Sequence, residues 1–372
     1  MSRVNPFEYQ RPLDPTVLID RRAELDALQR AAADRVAVRL ASPRRFGKTT
    51  LLGAHLAAMR DAGHHAALVD LDRVATVVDV LDRIAEGLRQ LPGVGPGTIA
   101  ARLARIGLTV GPAGIQVQLA PRGARATPSP DDARAAIRDL LRLPADLASG
   151  GDLVVVAFDE FQDLLTADER LDGLLRSVIQ HQGDRVAYLF AGSSPSMMRT
   201  LFGDRERPFF GQARPVELPP LPLEETTREV LARMPAPEDP RTADATARIV
   251  QAAGGHPQRT MLLAFHLHEL LRDEEPADDL AAAAWARALR EVDDVCAALW
   301  STLSRPERAV CSAVADGLAA TSTTAAEQHQ ISRSTLQSTT ERLVADGQLL
   351  RRGERRRVEL LDPLFAAWLR DR

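Results

Sequence analysis

Ser42-Pro43-Arg44-Arg45-Phe46-Gly47-Lys48-Thr49-Thr50 decides the reading of this chain. Lys48 is the only lysine among its 47 lysine and arginine residues. Arginine serves wherever a generic positive charge suffices, whereas position 48 keeps a compact ammonium. The stretch matches the pattern G-x-x-x-x-G-K-[ST], with Ser42 in place of the first glycine. In that pattern backbone N–H groups cradle phosphates, the ammonium reaches the β/γ oxygens and a hydroxyl holds Mg²⁺. Arg44, Arg45, Phe46, Gly47, Lys48, Thr49 and Thr50 are therefore the candidate nucleotide-binding residues, with Thr49 as a metal ligand.

The flanks supply the context that such a short motif requires. Arg35 to Leu40 reads as a strand, and Thr49 to Arg60 reads as a helix with Leu51, Leu52, Leu56 and Met59 at helical spacing. A helix starting there directs its unpaired N–H groups and dipole at an anion. The bland alternative is a strand-turn-helix with one surface lysine. A second apolar run, Leu153-Val154-Val155-Val156-Ala157-Phe158, ends in Asp159-Glu160, the pattern of a buried parallel strand that delivers carboxylates at its C-terminal edge. This is a Walker B element, in which Asp159 joins the Mg²⁺ shell and Glu160 polarises the attacking water.

Ala66 to Leu71 and Val186 to Ala191 read as further strands. A strand inserted between the two motifs, with a glutamate after the aspartate, implies the additional-strand, catalytic-glutamate branch of P-loop NTPases. The fold class expected is α/β, a three-layer αβα core. Ser193 and Ser194 follow the last strand, where a polar side chain can sense the γ-phosphate or simply cap a turn.

With these residues in order, the chain resembles the archaeal-type ATPase family, a STAND-like relative of the AAA+ proteins. The resemblance runs through nearly the whole chain. It begins at Val17-Leu18-Ile19-Asp20-Arg21-Arg22-Ala23-Glu24-Leu25, similar to a segment that borders the adenine pocket, with Asp20 and Arg22 departing from the pattern. It continues through Phe158-Asp159-Glu160-Phe161-Gln162 and Ala191-Gly192-Ser193-Ser194 to Gly254-Gly255-His256-Pro257. There the resemblance implies that Pro257 of a helical lid packs against the base, while a helix ended by Gly-Gly explains the same residues locally. Phe209-Phe210-Gly211-Gln212-Ala213-Arg214 is similar to a stretch in which many relatives carry arginine after the glycine; Arg214, Arg207 or Arg199 can then serve the γ-phosphate in cis or across a subunit boundary, or be surface charges. The implied ligands are ATP or ADP with Mg²⁺.

Composition bounds the rest. A chain of 372 residues with 45% hydrophobic and 4% aromatic residues fits two or three globular domains. The net charge of −4 gives the whole molecule no preference for nucleic acid. Cys296 and Cys311 lack zinc-ligand spacing and read as small buried residues of a reducing compartment. With no apolar leader or membrane-length run, the expected location is the cytoplasm.

The organisation expected is an extended arm over 1–16, with Phe7 and Tyr9 docking near the nucleotide, an ATPase core over 17–218, a helical lid over 219–290 and a winged helix-turn-helix over 291–372. Within the core, Gly-Pro-Ala-Gly at 111–114 joins two alternating runs into a hairpin that is either a partner-binding insertion or a packed flap. Ser304-Arg305-Pro306-Glu307 is a capping box, Ser334 starts the recognition helix, and Leu349 to Leu360 reads as a two-stranded wing turning at Gly353-Glu354. Arg333, Arg351, Arg352, Arg355, Arg356 and Arg357 are the candidate nucleic-acid contacts. The reading that follows is a slow ATPase, a nucleotide-controlled switch or assembly factor acting on DNA. Two alternatives remain: a signalling or defence switch whose winged helix holds a protein partner, and a binding-only relative. A nucleotide-dependent homo-oligomer is expected if one arginine acts in trans.

Overall fold

The computed structural model describes residues 5–11, 19–111, 114–118, 125–126, 128–148, 152–273, 277–353 and 357–372. Two compact units contain them: Arg21–Ser42 with Lys48–Leu218, and Met1–Asp20 with Pro43–Gly47 and Pro219–Arg372. Val17, Leu18, the hairpin tip at 112–113, Arg355 and Arg356 lie outside the described residues.

In the first unit the chain runs α1 (Arg22–Ala33), β1 (Val38–Ala41), α2 (Lys48–Asp61), β2 (His65–Asp70), α3 (Val77–Leu88), α4 (Pro96–Ala104), then β3 (Leu108–Gly111), β4 (Gly114–Gln118) and β5 (Arg125–Ala126). It continues through α5 (Pro130–Leu140), α6 (Leu143–Leu147), β6 (Val154–Asp159), α7 (Leu164–Ala167), α8 (Leu171–Ile179), β7 (Val186–Gly192), α9 (Pro195–Gly203) and β8 (Arg214–Glu217). Five strands form a parallel sheet in the order β2-β6-β7-β1-β8. The strand lying between the Walker A and Walker B strands is thus β7. The Ala66 to Leu71 run, which separates the motifs in sequence, is the edge strand β2.

Every residue of β6 and β7 is buried, as a parallel sheet covered on both faces requires. Alternation sorts the faces: Val154, Val156 and Phe158 join α3, α5 and α8 in one apolar core, whereas Val155, Ala187 and Leu189 line a small gap with Leu28 of α1 and His55 of α2. Phe158, Phe161, Phe190, Phe202 and Phe209 cluster in the first core, with Phe161 and Phe190 centroids 4.6 Å apart. Reciprocal capping boxes, Thr76 with Asp79 and Ser129 with Asp132, start α3 and α5. β1 begins three residues later than its apolar pattern predicts, because Arg35 takes a left-handed turn, φ 54°, after α1. The antiparallel β3–β4 hairpin forms as expected, with β5 added beside β4.

The second unit contains α10 (Leu223–Leu231), α11 (Pro240–Ala253), α12 (Pro257–Arg272), α13 (Leu280–Glu291), α14 (Asp293–Thr302), α15 (Arg305–Ala315), α16 (Thr323–His329), α17 (Arg333–Ala345), the hairpin β9 (Leu349–Arg352) and β10 (Arg357–Leu360), and α18 (Pro363–Arg370). The order from α15 to β10 fits a winged helix. Ser304 and Glu307 make the capping box that starts α15, and Ser332 rather than Ser334 caps α17. The helices of 219–290 and the winged segment share one apolar core, from Leu221 through Leu263 to Leu369.

The N-terminal arm belongs to that core. Phe7 is fully buried with its ring edge-on to His268, and Tyr9 packs on Phe265. Asn5 Nδ2 donates to the Phe265 carbonyl and to Glu269. Phe7 and Tyr9 dock on the C-terminal half of α12, against Phe265 and His268. Apolar side chains of the second unit's core receive them.

Candidate active site

Parallel strands place their loops on one sheet edge, and the chemistry-bearing residues follow from β1, β6 and β7 at that edge. Ser42 follows β1, is 2% exposed, and donates its N–H to the Gly192 carbonyl at the end of β7, 3.3 Å away. It is not among the residues with positive φ, so serine in the first glycine's place carries no conformational penalty. Gly47 takes φ 82° and Arg45 φ 67°; left-handed residues in a loop turn N–H groups to one side, the geometry of an anion nest. Lys48, 5% exposed, folds back so that Nζ donates to the Ser42 carbonyl at 3.3 Å. Thr50 is buried and Thr49 exposed at the start of α2.

Thr49 Oγ1 donates to Asp159 Oδ2 at 2.9 Å. Burial, aided by the Glu160 charge, pushes the Asp159 carboxyl above its ordinary range against that hydrogen bond. Two hard oxygen donors in contact fit Mg²⁺. Glu160 leaves the strand with a left-handed φ of 49°. Its Oε2 accepts from the Ser193 main-chain N–H at 3.0 Å and from Gln162 Nε2 at 2.7 Å. Burial alone would raise the Glu160 carboxyl; the Ser193 and Gln162 hydrogen bonds with the Lys48 charge outweigh it and hold the group below its usual range. Ser193 thus meets Glu160 through its main-chain N–H as well as its side chain, and Ser194 precedes α9 as its N-cap.

One expectation changes. Arg214 pairs with Val38 in the β8–β1 register and donates its N–H to the Ala37 carbonyl. It stands at the beginning of β8, on the sheet edge opposite Ser42 and Lys48, and is exposed. Four residues of strand, about 13 Å, separate the two edges, so Arg214 does not serve this chain's own phosphate site. Arg207 is 3.5 Å from Asp172, and Arg199 is exposed on α9.

Pro257 is the first residue of α12, and the preceding glycines have steric reasons of their own. Gly254 ends α11 in a left-handed cap, and a Cβ on Gly255 would stand 2.5 Å from the Leu221 carbonyl. His256 meets the loop segment that belongs to its unit: its ring lies edge-to-face with Phe46 at 5.2 Å. Arg259, one turn on, is 2% exposed and forks onto Asp362, with Nε 2.9 and 3.0 Å from the two carboxylate oxygens and a further contact from Nη2.

The described wing arginines are engaged within the protein. Arg333 donates to the Thr321 carbonyl, Arg357 to the Gly317 carbonyl, Arg351 pairs with Glu341, and Arg352 donates to the Gly254 carbonyl and faces Glu359. Gln162, His256, Arg259 and Asp362 did not stand out as site residues in the sequence. For Gln162 the available signal was a lone amide in an apolar turn directly after the two acids.

The additional strand between the two motif strands, with Lys48, Asp159 and Glu160 brought to one sheet edge, defines a P-loop NTPase fold of the additional-strand type. Solved structures agree. The chain is similar to the Walker-type ATPase of Pyrococcus abyssi at 18% identity, over 98% of this chain and 99% of that one, with a TM-score of 0.72. It is also similar to the Aeropyrum pernix ORC2 protein in its ADPNP–ADP complexes, at 16% identity over 99% and 96% of the two chains, TM-score 0.59. The ADP form of that protein gives 0.54 at 16% identity, over 98% and 97%. No protein-family profile matches the sequence, and no curated protein matches it. Among the described residues no helix is long and apolar enough to cross a membrane.

Proposed function

We propose that the chain binds ATP and ADP and hydrolyses ATP slowly, as the nucleotide-controlled switch of an assembly in the cytoplasm. One observation carries the reading: on a single sheet edge Lys48 covers the Ser42 carbonyl, Thr49 touches Asp159, and Glu160 is held ionised beside Ser193. The N–H groups of Arg44, Arg45, Phe46, Gly47 and Lys48 cradle the phosphates, Lys48 neutralises the β and γ oxygens, and Thr50 closes the first turn of the helix. Thr49 and Asp159 hold Mg²⁺, which offsets phosphate charge when bound. Glu160 accepts a proton from the attacking water, and Ser193 ties that carboxylate to the end of β7. The solved ADP and ADPNP complexes of the similar Aeropyrum pernix protein support nucleotide as the ligand.

The winged segment is the output, over 291–372, with 219–290 as the lid and Pro257 near the base. DNA is its proposed partner, through α17 and the wing arginines including Arg355 and Arg356. A second reading, a protein partner, is favoured by the engagement of Arg333, Arg351, Arg352 and Arg357 with protein oxygens. A nucleotide-dependent homo-oligomer completes the site only if an arginine acts in trans, from a neighbouring subunit.

The test is ATP turnover and nucleotide binding of wild type, Lys48→Ala and Glu160→Gln, with and without duplex DNA at two salt concentrations. Lys48→Ala is expected to lose nucleotide binding; Glu160→Gln is expected to bind and not turn over. Stimulation by DNA that disappears at high salt supports the DNA reading, and DNA-indifferent turnover supports the protein partner. Full turnover in Glu160→Gln would refute the assignment of the base.

A further inference from the structure

We propose that Gln162 is a positioning residue for hydrolysis: its amide clamps one oxygen of the Glu160 carboxylate so that the other is presented to water. The inference rests on the ATP-hydrolysis reading above and assigns a residue which that reading does not use.

Glu160 needs such a clamp. It follows the last residue of β6 in a left-handed conformation, so the alternation of the strand no longer sets the direction of its side chain. Two donors fall on Oε2, from Gln162 Nε2 at 2.7 Å and the Ser193 N–H at 3.0 Å. The second N–H of the same amide reaches Asp163 Oδ1 at 3.0 Å. Both neighbours are carboxylates, which accept and do not donate, so the amide nitrogen must face them and the amide oxygen must point away.

That oxygen identifies the role. Gln162 is 3% exposed, and its Oε1 is buried without a hydrogen-bond partner. It lies against Gly192, where a Cβ would stand 2.4 Å from Oε1 and 2.5 Å from Met198 Sδ. Methionine or leucine would fill this space with no orphaned carbonyl, and an unsatisfied buried polar atom costs stability. The chain keeps the amide for its two N–H groups, and Gly192 gives it room.

The experiment compares wild type, Gln162→Met, Glu160→Gln and the double variant, measuring ATP affinity, KM, kcat and thermal denaturation on the full chain. Gln162→Met keeps the length and removes the donors. Its kcat is expected to fall on the order of tenfold to a hundredfold, the effect of a small misplacement of a reacting group. ATP affinity and KM are expected to stay within about twofold, since the phosphate cradle is untouched. In the Glu160→Gln background, Gln162→Met is expected to change residual turnover no further, because the carboxylate it positions is already gone. Gln162→Asn retains the amide but withdraws it by one methylene, and is expected to lose kcat in the same way if the methionine variant does not fold. Wild-type kcat in a folded Gln162 variant would overturn the proposal. So would an equal further loss in the Glu160→Gln background, or a rise in KM at constant kcat. Absence of ATP turnover in the wild type, in contrast, would remove the hydrolysis reading itself, and wild-type turnover in Glu160→Gln would remove the base on which the clamp acts.

Discussion

Arg259 and Asp362 allow a buried ion pair to be apportioned, because the two ends are buried to different extents. The Arg259 side chain is 2% exposed and the Asp362 side chain 23%. Asp362 also caps α18, accepting from the Leu364 and Phe365 N–H groups at 3.1 and 3.3 Å. Asp362→Ala strands a guanidinium in the interior and removes the cap. Breaking a buried pair from one side costs about 3–5 kcal/mol, with the lower end apt for a partly exposed acid, and the cap adds about 1 kcal/mol. Arg259→Met leaves a carboxylate that still accepts from two N–H groups and reaches solvent, so it is expected to cost less, about 1–3 kcal/mol. The double variant removes the stranded charge and is expected to be more stable than Asp362→Ala alone.

The assay comes from the sequence. The 3 tryptophans of the chain, Trp285, Trp300 and Trp368, all belong to the Pro219–Arg372 segment. Urea unfolding followed by tryptophan fluorescence therefore reports the unit that contains the ion pair. With a slope of about 2–3 kcal/mol per molar urea, Asp362→Ala is expected to lower the midpoint by about 1–2 M. An Asp362→Ala shift no larger than that of Arg259→Met would refute the asymmetry. Single-variant costs that sum to that of the double variant would refute the coupling.

Acid sensitivity should come from two buried imidazoles. Burial lowers His55 to about 4, and burial first, with the nearby Arg259 and Arg45 charges opposing that of Asp362, lowers His256 to about 4. Between pH 4 and 6.5 the unfolded chain binds more protons than the folded one, so stability is full above about 6.5 and falls as pH drops toward 4, by up to about 3 kcal/mol per histidine. His256→Asn keeps an N-cap acceptor and is expected to flatten that fall in tryptophan-detected melts; an unchanged slope would exclude His256 as a source. Two glycines of the first unit should respond oppositely to alanine, read by circular dichroism melts. A Cβ at Gly87 meets the Leu68 carbonyl at 2.6 Å, whereas one at Gly173 meets Pro208 Cγ at 3.6 Å. Gly87→Ala is expected to cost about 1–3 kcal/mol and Gly173→Ala, inside α8, to gain about 0.5–1 kcal/mol.

What could be read from the sequence was local, and what could not depended on which segment met which. Strand, loop and helix around Lys48 lie within one short stretch, and the apolar run into Asp159 and Glu160 shows a buried parallel strand by itself. Which sheet edge holds Arg214 was not legible, because edge assignment needs the β8–β1 register, a pairing between residues far apart in the chain. The wing arginines also make contacts that the sequence did not show, since the Gly254 carbonyl that receives Arg352 is 98 positions away. Phe7 and Tyr9 were legible as apolar anchors, but the groove on α12 that takes them was not. Ser42 shows the same limit from the opposite side. Serine for glycine is alarming only where φ is positive, and the backbone here is ordinary because its N–H is bonded to the Gly192 carbonyl. Gly192 thus shapes both halves of the candidate site: its carbonyl holds the residue before the phosphate loop, and its missing side chain admits the Gln162 amide. A substitution there should disturb Lys48 and Glu160 together, a linkage created by strand order rather than by motif.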